Sequence, residues 1–259
     1  MVNYILKAHR QALSAYAGIV CLLVLFASMS EAMSFSVPER LDYNLTWAGI
    51  KTGEAVLEAR KDGPTIQFIS KATSSAWVSL FHKVDDLVVS TLKKGEGGTP
   101  YDKFIGIPTS YKIKLKEGGY RRDKEFTLDH TAKKAVYVNH RTGEKLVMNI
   151  NGPVLDPLAS FYYIRTLPLE VGKSVFVDVI DSKKLYKAEV RVIRKEVVET
   201  PAGTFNTILI KPIIKSDGIF HRRGNIFIWL TDDKQRIPVL LKTKVALGSV
   251  KAVLAGGKY

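Results

Sequence analysis

Apolar and polar residues alternate with a period of two along most of the chain after residue 40. In residues 186–193 every second residue is apolar, and the positions between are Lys187, Glu189 and Arg191. Because successive side chains of a strand point to opposite faces, this pattern is typical of a strand with one solvated face. It predicts strands over residues 41–47, 54–60, 65–72, 87–92, 110–115, 124–128, 135–138, 146–150, 175–180, 186–193, 204–214, 225–230, 238–247 and 250–254.

Glycine and proline stand at the joints between these segments, for example at residues 61–64 and 201–203. Such joints favour consecutive antiparallel hairpins. Two stretches depart from the alternation: residues 74–82 predict a helical turn, and residues 156–167 predict a short helix because Asp156-Pro157 is a typical helix start. We therefore predict an all-β, mainly antiparallel fold, with a curved meandering sheet that forms an open barrel or a sandwich and one short helix near 156–167.

The first 32 residues have a different pattern, which is typical of an export signal. Lys7 and Arg10 precede an apolar run, and Ser30-Glu31-Ala32 places small residues at the two positions that a signal peptidase reads. An uncleaved membrane anchor is the alternative, but the apolar run is shorter than the about 20 residues that a spanning helix needs. We expect a cleavable signal peptide over 1–32, a single β-rich domain over 33–259 and a periplasmic product, with secretion as the alternative.

Export changes the interpretation of the cysteine content and the charge. The single cysteine, Cys21, lies in the predicted signal, so the cleaved chain has no disulfide and no thiolate nucleophile. Cleavage reduces the 39 basic and 25 acidic residues to 37 and 24, a formal net charge of +13. Outside the cytoplasm this charge favours an anionic envelope component, such as phospholipid headgroups, as the partner. We expect peripheral contact with a membrane rather than binding to nucleic acid, and the oligomeric state stays open.

The sequence contains little that is typical of a catalytic or metal site. The histidines outside the predicted signal are too far apart for metal-ligand spacing. Neither a nucleophile elbow nor a nucleotide-binding fingerprint occurs, so we expect no cofactor and no metal. Asp232-Asp233 and the group of His82, Asp85 and Asp86 are the remaining candidates for acid-base chemistry. The aspartate pair falls at a predicted turn, where aspartates also serve in backbone hydrogen bonding.

Several motifs follow one another in a characteristic order: residues 43–53, the stretch from Asp156-Pro157 to Arg165, the pair Val171-Gly172, residues 200–205, and residues 228–239 followed by Leu247-Gly248-Ser249. Together they resemble the bacterial exported proteins grouped as domain of unknown function 3108. The resemblance covers essentially the whole chain after the signal. It implies a β-rich periplasmic domain, and it brings no established activity and no catalytic residues.

The first functional hypothesis is a non-enzymatic binding or carrier protein of the cell envelope. The concave face of a curved sheet could hold a lipid acyl chain or another apolar group, while basic residues at the rim bind an anionic head. The candidate ligand-binding residues are Trp47, Trp77, Phe81, Tyr162, Tyr163, Arg165, Trp229, Asp232 and Asp233. Aromatic residues in a β protein also serve as ordinary core, which is the competing interpretation of these positions.

Two other functional classes remain open. One is a structural or assembly factor that contacts envelope proteins or peptidoglycan through exposed basic hairpins and a sheet edge. The other is a glycan- or ester-processing enzyme built around Asp232, Asp233 or the group of His82, Asp85 and Asp86. An open cleft inside the sheet would favour a carrier, whereas a packed, solvent-tight interior with an apolar patch outside would favour a scaffold.

Overall fold

The computed structural model describes residues 35–94, 101, 105–213, 226–245 and 248–259. The predicted signal peptide therefore lies outside the described residues, as do the predicted strand ends at Ile214, Asn225 and Leu247. The strands are β1 (Glu39–Trp47), β2 (Ile50–Asp62), β3 (Thr65–Ser74), β4 (Asp85–Lys93), β5 (Ile107–Glu117), β6 (Tyr120–Asp129), β7 (Lys134–Asn139), β8 (Glu144–Asn149), β9 (Ser174–Asp181), β10 (Lys184–Thr200), β11 (Gly203–Ile213), β12 (Ile226–Thr231), β13 (Pro238–Val245) and β14 (Gly248–Lys258). The helices are α1 (Ala76–Ser79) and α2 (Pro157–Ile164). None of the helices in these ranges has the length and apolar character needed to cross a membrane.

All fourteen strands form one antiparallel sheet in the order β8-β7-β6-β5-β4-β3-β2-β1-β14-β13-β12-β11-β10-β9. The first and last strands of the chain, β1 and β14, pair with each other at the middle of the sheet. Helix α2 contacts β3 and β4 in one half of the sheet and β9 in the other, so the two halves face each other across the helix. The predicted all-β, antiparallel class is confirmed, and the sheet is a curved, open barrel with α2 inside.

Most of the observed strands are longer than the predicted ones, and β10 differs most. It has 17 residues, whereas the alternation predicted only residues 186–193. Its first part pairs with β9 and its second part with β11, and the register shifts between Val192 and Arg194. An inserted residue of this kind reverses the in-and-out alternation, which is why the sequence pattern stops there although the strand continues.

The sheet is open between β8 and β9, and the chain partly covers that opening. Leu155, just before α2, forms a parallel bridge with β9: its N–H donates to the carbonyl of Asp178 and its carbonyl accepts from the N–H of Ile180, both at 2.9 Å. Across the opening, the ammonium of Lys183 lies 2.5 Å from the carboxylate of Glu144 at the start of β8. The bridge satisfies backbone groups of β9 that an exposed edge would offer to another chain, and the ion pair joins side chains across the opening.

Helix α2 lies in the interior because it is apolar on nearly every side. Asp156 is its N-cap, and its carboxylate accepts hydrogen bonds from the N–H groups of Leu158 and Ala159 at 2.9 and 3.0 Å. Pro157 occupies the first helical turn, where its missing N–H costs no hydrogen bond. The helix predicted near 156–167 is confirmed, and its last helical residue is Ile164.

Candidate ligand-binding cavity

A cavity of about 400 Å³ lies between the two halves of the sheet, alongside α2. Strands β1–β5 and β9–β14 and the helix contribute to its wall. Most lining side chains are aliphatic or aromatic, and the non-aromatic polar ones are Ser70, Asp86, Ser160 and Thr243. Protein sites for small ligands typically have volumes of about 300–1,000 Å³. The size and lining of this cavity therefore suit a mainly apolar ligand.

The alternation along each strand determines which residues form the wall. On β4, Asp86 and Val88 line the cavity, whereas the neighbouring Leu87 and Val89 lie on the outer face of the sheet. Ser90, the next inward position, is fully buried below the cavity. The inward-facing side chains of a single strand therefore line the cavity at one end and pack in the core a few residues further along.

Below the cavity, a buried ion pair fixes the end of α2. The guanidinium of Arg165 donates two hydrogen bonds to the carboxylate of Glu39, at 2.7 and 2.6 Å, and a third to the carbonyl of Gln235 at 3.1 Å. Both side chains of the pair are almost wholly shielded from solvent. A bidentate geometry of this kind offsets part of the free energy of desolvating the two charges. The helix is thereby joined to the start of β1 and to the β12–β13 turn.

Aromatic rings fill the space around this ion pair. Phe68 and Tyr162 are stacked, with 3.8 Å between ring centroids, and Phe35 lies 5.1 Å from Tyr162. The guanidinium of Arg165 lies 4.6 Å from the centroid of Phe35, within the range of a cation-π contact. We call Phe35, Glu39, Phe68, Tyr162 and Arg165 the closed end of the barrel.

The first turn of α2 is fixed by a second buried polar pair. The hydroxyl of Ser90 donates to the carboxylate of Asp156 at 2.6 Å, and both residues are fully buried. Burial raises the pKa of Asp156 to about 6, and the hydrogen bonds from Ser90 and from the helix N–H groups counteract part of that increase. The sequence identified Asp156 as a helix start but gave no sign of its partner on β4.

Five large apolar side chains are exposed at the other end of the barrel. Trp47 ends β1, Ile50 begins β2, and Trp77, Leu80 and Phe81 lie on or directly after α1. Leu80 and Phe81 are 80% and 85% exposed, and the other three are 43–60% exposed. We call these five residues the mouth patch. Since β1 runs from Glu39 to Trp47, the mouth patch and the closed end are about 27 Å apart along the strand.

The cavity reaches the mouth end of the barrel. Leu45 lines it two residues before Trp47, and Ile213 and Ile226 line it at the last residue of β11 and the first of β12. The indole N–H of Trp77 donates to the carbonyl of Lys51 at 3.3 Å, which holds α1 against the β1–β2 turn. The mouth patch therefore lies at the end of the barrel that the cavity reaches.

The structure separates the predicted ligand-binding residues into three groups. Trp47, Trp77 and Phe81 lie together in the mouth patch. Tyr162 and Arg165 belong to the closed end, and Tyr163 packs edge-on against Tyr101 at 4.7 Å. These residues lie around the cavity, and the described cavity wall contains none of them.

The third group lies in and beside the β12–β13 turn. Trp229 is buried on the face of β12 opposite to the cavity-lining Ile228, and its indole N–H donates to the carboxylate of Glu196 at 2.6 Å. The carboxylate of Asp232 lies 2.7 Å from the ammonium of Lys195. Asp233 accepts hydrogen bonds from the N–H groups of Gln235 and Arg236 at 2.9 and 3.0 Å, the backbone role that aspartate has at turns.

The residues of the wall were not among the predicted ligand contacts, most of which were large aromatic residues. A cavity persists where the inward positions carry small side chains, and here Ala55, Ala72, Ala188 and Ala252 occupy four such positions on four strands. Alanine is depleted in strands, so its recurrence at inward positions is the signal that could have located the cavity.

The other candidate cluster is divided between the surface, where His82 and Asp85 lie, and the cavity wall, to which the buried Asp86 contributes. Asp85 lies 3.4 Å from the ammonium of Lys116, and Asp86 accepts a hydrogen bond from the backbone N–H of Lys116 at 3.0 Å. The ring of His82 lies against the backbone at Gly118. Within the part of the chain that is described, no group of three or more histidine, cysteine, aspartate or glutamate residues is arranged to hold a metal ion.

Comparison with known proteins places this arrangement in a family. A family model described as a protein of unknown function, DUF3108, matches residues 42–255, which include the described cavity wall and the mouth patch. The chain belongs to the DUF3108 family. The resemblance found in the sequence motifs is thus confirmed, and no curated protein matches this DUF3108 chain.

Solved structures with similar folds are distant in sequence. A β-barrel-like protein of domain of unknown function DUF1849 from Brucella abortus has a TM-score of 0.54 at 14% identity, covering 86% of this chain and 98% of its own. A Bacteroides fragilis protein described as exported, with a YmcC-like fold, has a TM-score of 0.33 at 12% identity, and the match covers 88% of this chain and 99% of that protein. A Parabacteroides distasonis protein described as a lipoprotein has a TM-score of 0.31 at 11% identity, and the match covers 88% of this chain and 99% of that protein. The first supports a barrel-like fold for the DUF3108 chain.

Proposed function

We propose that this DUF3108 protein is a non-enzymatic binding or carrier protein for a ligand with an apolar chain, such as a lipid acyl chain. One observation carries the proposal: the apolar cavity of about 400 Å³ between the halves of the sheet. Each methylene group transferred from water into such a site contributes about 0.8 kcal/mol. Each strand that forms the wall is hydrogen-bonded to at least one neighbouring strand, so the site is preorganised for the ligand.

The arrangement of charge supports an amphipathic, anionic ligand. The excess of basic residues that remains after removal of the signal gives the domain a positive field. A ligand whose tail lies in the cavity would leave its head at the mouth end, near Lys51 and Lys116. The open cavity supports a carrier over the scaffold alternative, which requires a packed interior.

We also propose that residues 33–259 form one domain that works in the periplasm after removal of residues 1–32. The support is the charged start, apolar run and small-residue end of that segment. Cell fractionation followed by N-terminal sequencing of the recovered protein tests this. We expect a periplasmic chain that begins near Met33, and an intact N-terminus on a cytoplasmic protein would contradict it.

Ligand binding is tested by titrating the purified protein with a dansylated fatty acid. We expect saturable binding, and we expect Val88→Trp, which fills the cavity from β4, to weaken it by at least about tenfold. Val89→Trp is the matched control, because it adds the same side chain to the outer face of the same strand. Lipid extracted from protein isolated from its native cells identifies the natural ligand.

Two results would overturn the carrier proposal. One is the absence of saturable probe binding together with lipid-free protein from native cells. The other is equal loss of binding in the Val88→Trp and Val89→Trp variants, because the bound probe would then not lie in the cavity. Circular dichroism of both variants shows whether each is folded before its affinity is compared.

A further inference from the structure

We propose that the mouth patch docks on the surface of an anionic phospholipid bilayer, so that the cavity opens against the lipid. This deepens the proposed function, because a carrier of acyl chains must exchange them with a membrane. The docking itself is a separate property, however, and it can be measured on vesicles without any ligand in the cavity.

The chemistry of the mouth patch is that of an interfacial anchor. Trp47 and Trp77 each combine a large apolar ring with an N–H donor, and such residues favour the boundary between headgroups and acyl chains. Leu80 and Phe81 extend furthest into solvent, with 80% and 85% of their surface exposed. Exposed apolar side chains in a contiguous group, unlike scattered ones, mark a surface that contacts a partner.

The charge around the patch complements an anionic surface. Lys51, Lys83, Lys116, Arg121 and Lys244 are exposed at the strand ends and turns of the mouth end. The acidic residues there include Glu54, which lies 2.7 Å from Lys51, Asp85, which lies 3.4 Å from Lys116, and Glu117 at the end of β5. A basic rim around a Trp, Leu and Phe cluster is the composition of segments that bind anionic membranes.

The position of the patch favours a bilayer over a second copy of the chain. A second copy would carry the same basic rim, so pairing two mouths would bring like charges together. A bilayer instead supplies anionic headgroups for the rim and acyl chains for the exposed rings. Since the cavity lies beside the patch, an acyl chain could move between membrane and cavity without crossing water.

Co-sedimentation with sucrose-loaded vesicles tests the docking of the chain without residues 1–32. We expect binding to vesicles of phosphatidylglycerol and phosphatidylethanolamine that is lost on pure phosphatidylcholine and weakens with salt. The Leu80→Glu/Phe81→Glu double variant should reduce the bound fraction at least about tenfold, because two carboxylates would replace the most exposed apolar side chains. Val197→Glu is the matched control: Val197 is 62% exposed and lies near the β10–β11 turn at the opposite end.

Tryptophan fluorescence gives a second readout at the same surface. The chain has three tryptophans, of which Trp47 and Trp77 are exposed in the mouth patch and Trp229 is buried. Vesicles should shift the tryptophan emission to shorter wavelengths, and brominated lipids should quench it. Both changes should be as large in Trp229→Phe as in the unsubstituted chain. Trp47→Phe and Trp77→Phe should each reduce the change.

The outcomes separate docking from the carrier function. Docking is overturned if the chain does not bind the anionic vesicles, or if Val197→Glu lowers binding as much as the double variant does. Docking is also overturned if sedimentation velocity shows that the unsubstituted chain is a dimer, that the double variant is a monomer, and that the unsubstituted chain does not bind vesicles. If the double variant still binds the dansylated fatty acid and Val88→Trp still binds vesicles, membrane docking and fatty-acid binding are independent properties. Vesicle binding without any fatty-acid binding would refute only the carrier proposal.

Discussion

The two ends of the barrel differ in the burial of their large apolar side chains and of their charged groups. At the closed end Phe68 and Tyr162 are buried against each other, and the pair of Arg165 and Glu39 is withdrawn from water. At the mouth the large apolar side chains are exposed, and the ion pairs are solvated surface pairs. From this contrast we expect substitutions at the closed end to lower stability strongly and substitutions at the mouth to change it little.

The ion pair at the closed end should give the largest effect on stability. Arg165→Met leaves the carboxylate of Glu39 buried without its partner, and we expect the free energy of unfolding to fall by about 3–5 kcal/mol. Urea denaturation measures the change. The double substitution Glu39→Leu/Arg165→Met should recover much of the loss, because it removes both buried charges.

Arg194→Met is the control for this prediction. Arg194 pairs with Glu196 at 3.0 Å on the surface of β10, with 56% of the arginine side chain exposed. Surface pairs contribute about 0–1 kcal/mol, so this variant should be nearly as stable as the unsubstituted chain. Equal losses at Arg165 and Arg194 would mean that the closed end has no special role in stability.

The N-cap of α2 should give the next largest effect, and it depends on pH. The pKa of Asp156 is raised to about 6 in the folded chain, above its ordinary value of 3.8. The folded state therefore binds the proton more tightly, and the stability from this group is fully present below pH 3.8 and lost as the pH rises through 6. Over that window we expect a loss of up to about 3 kcal/mol.

Asp156→Asn isolates this effect, because asparagine is also a good N-cap but does not titrate in this range. Urea denaturation between pH 4 and pH 7 should show a steeper decrease in stability for the unsubstituted chain than for the variant. Asp181, whose pKa burial also raises, is present in both proteins, so its contribution cancels in the difference. Parallel curves would show that the Asp156 carboxyl is already ionised throughout.

The fold could be predicted from the sequence because its signals are local. Alternation identified each strand, and Asp156-Pro157 identified the buried helix. A local irregularity can also mislead these signals. The register shift near Val192 interrupts the alternation, so the predicted strand ends at residue 193, whereas β10 continues to Thr200. Consecutive hairpins predict which strands are neighbours, with two exceptions that no local pattern contains: β1 pairs with β14, and β8 does not pair with β9.

The cavity could not be predicted in the same way, because its features join distant parts of the chain. Arg165 and Glu39 are 126 residues apart, and Ser90 and Asp156 are 66 apart. One sequence does not indicate which charges meet across such distances. The aromatic candidates Trp47, Trp77 and Phe81 lie at the mouth, whereas the described wall consists mainly of aliphatic and small residues with aromatic residues that were not among the candidates.

The cavity between the two ends should respond to filling with a gain in stability. Ala188→Leu and Ala252→Leu place extra methyl groups in open space, and each should raise the free energy of unfolding by about 0.5–2 kcal/mol. The same variants should bind the dansylated fatty acid more weakly, because the added side chains occupy its place. A loss of stability would mean that the wall has no spare volume at these positions, and the cavity would then be smaller than the static structure indicates.

The smallest effect is expected at the mouth, where Phe81→Ala should change the free energy of unfolding by no more than about 0.5 kcal/mol. Phe81 is 85% exposed, so its removal creates no cavity. Phe68→Ala is the matched substitution at the closed end, where the ring is fully buried, and it should cost about 3–5 kcal/mol. If Phe81→Ala instead destabilises the protein by more than about 1 kcal/mol, its ring packs against the barrel in solution. The mouth would then be closed by its own side chains, and the distinction between a stabilising end and a binding end would fail.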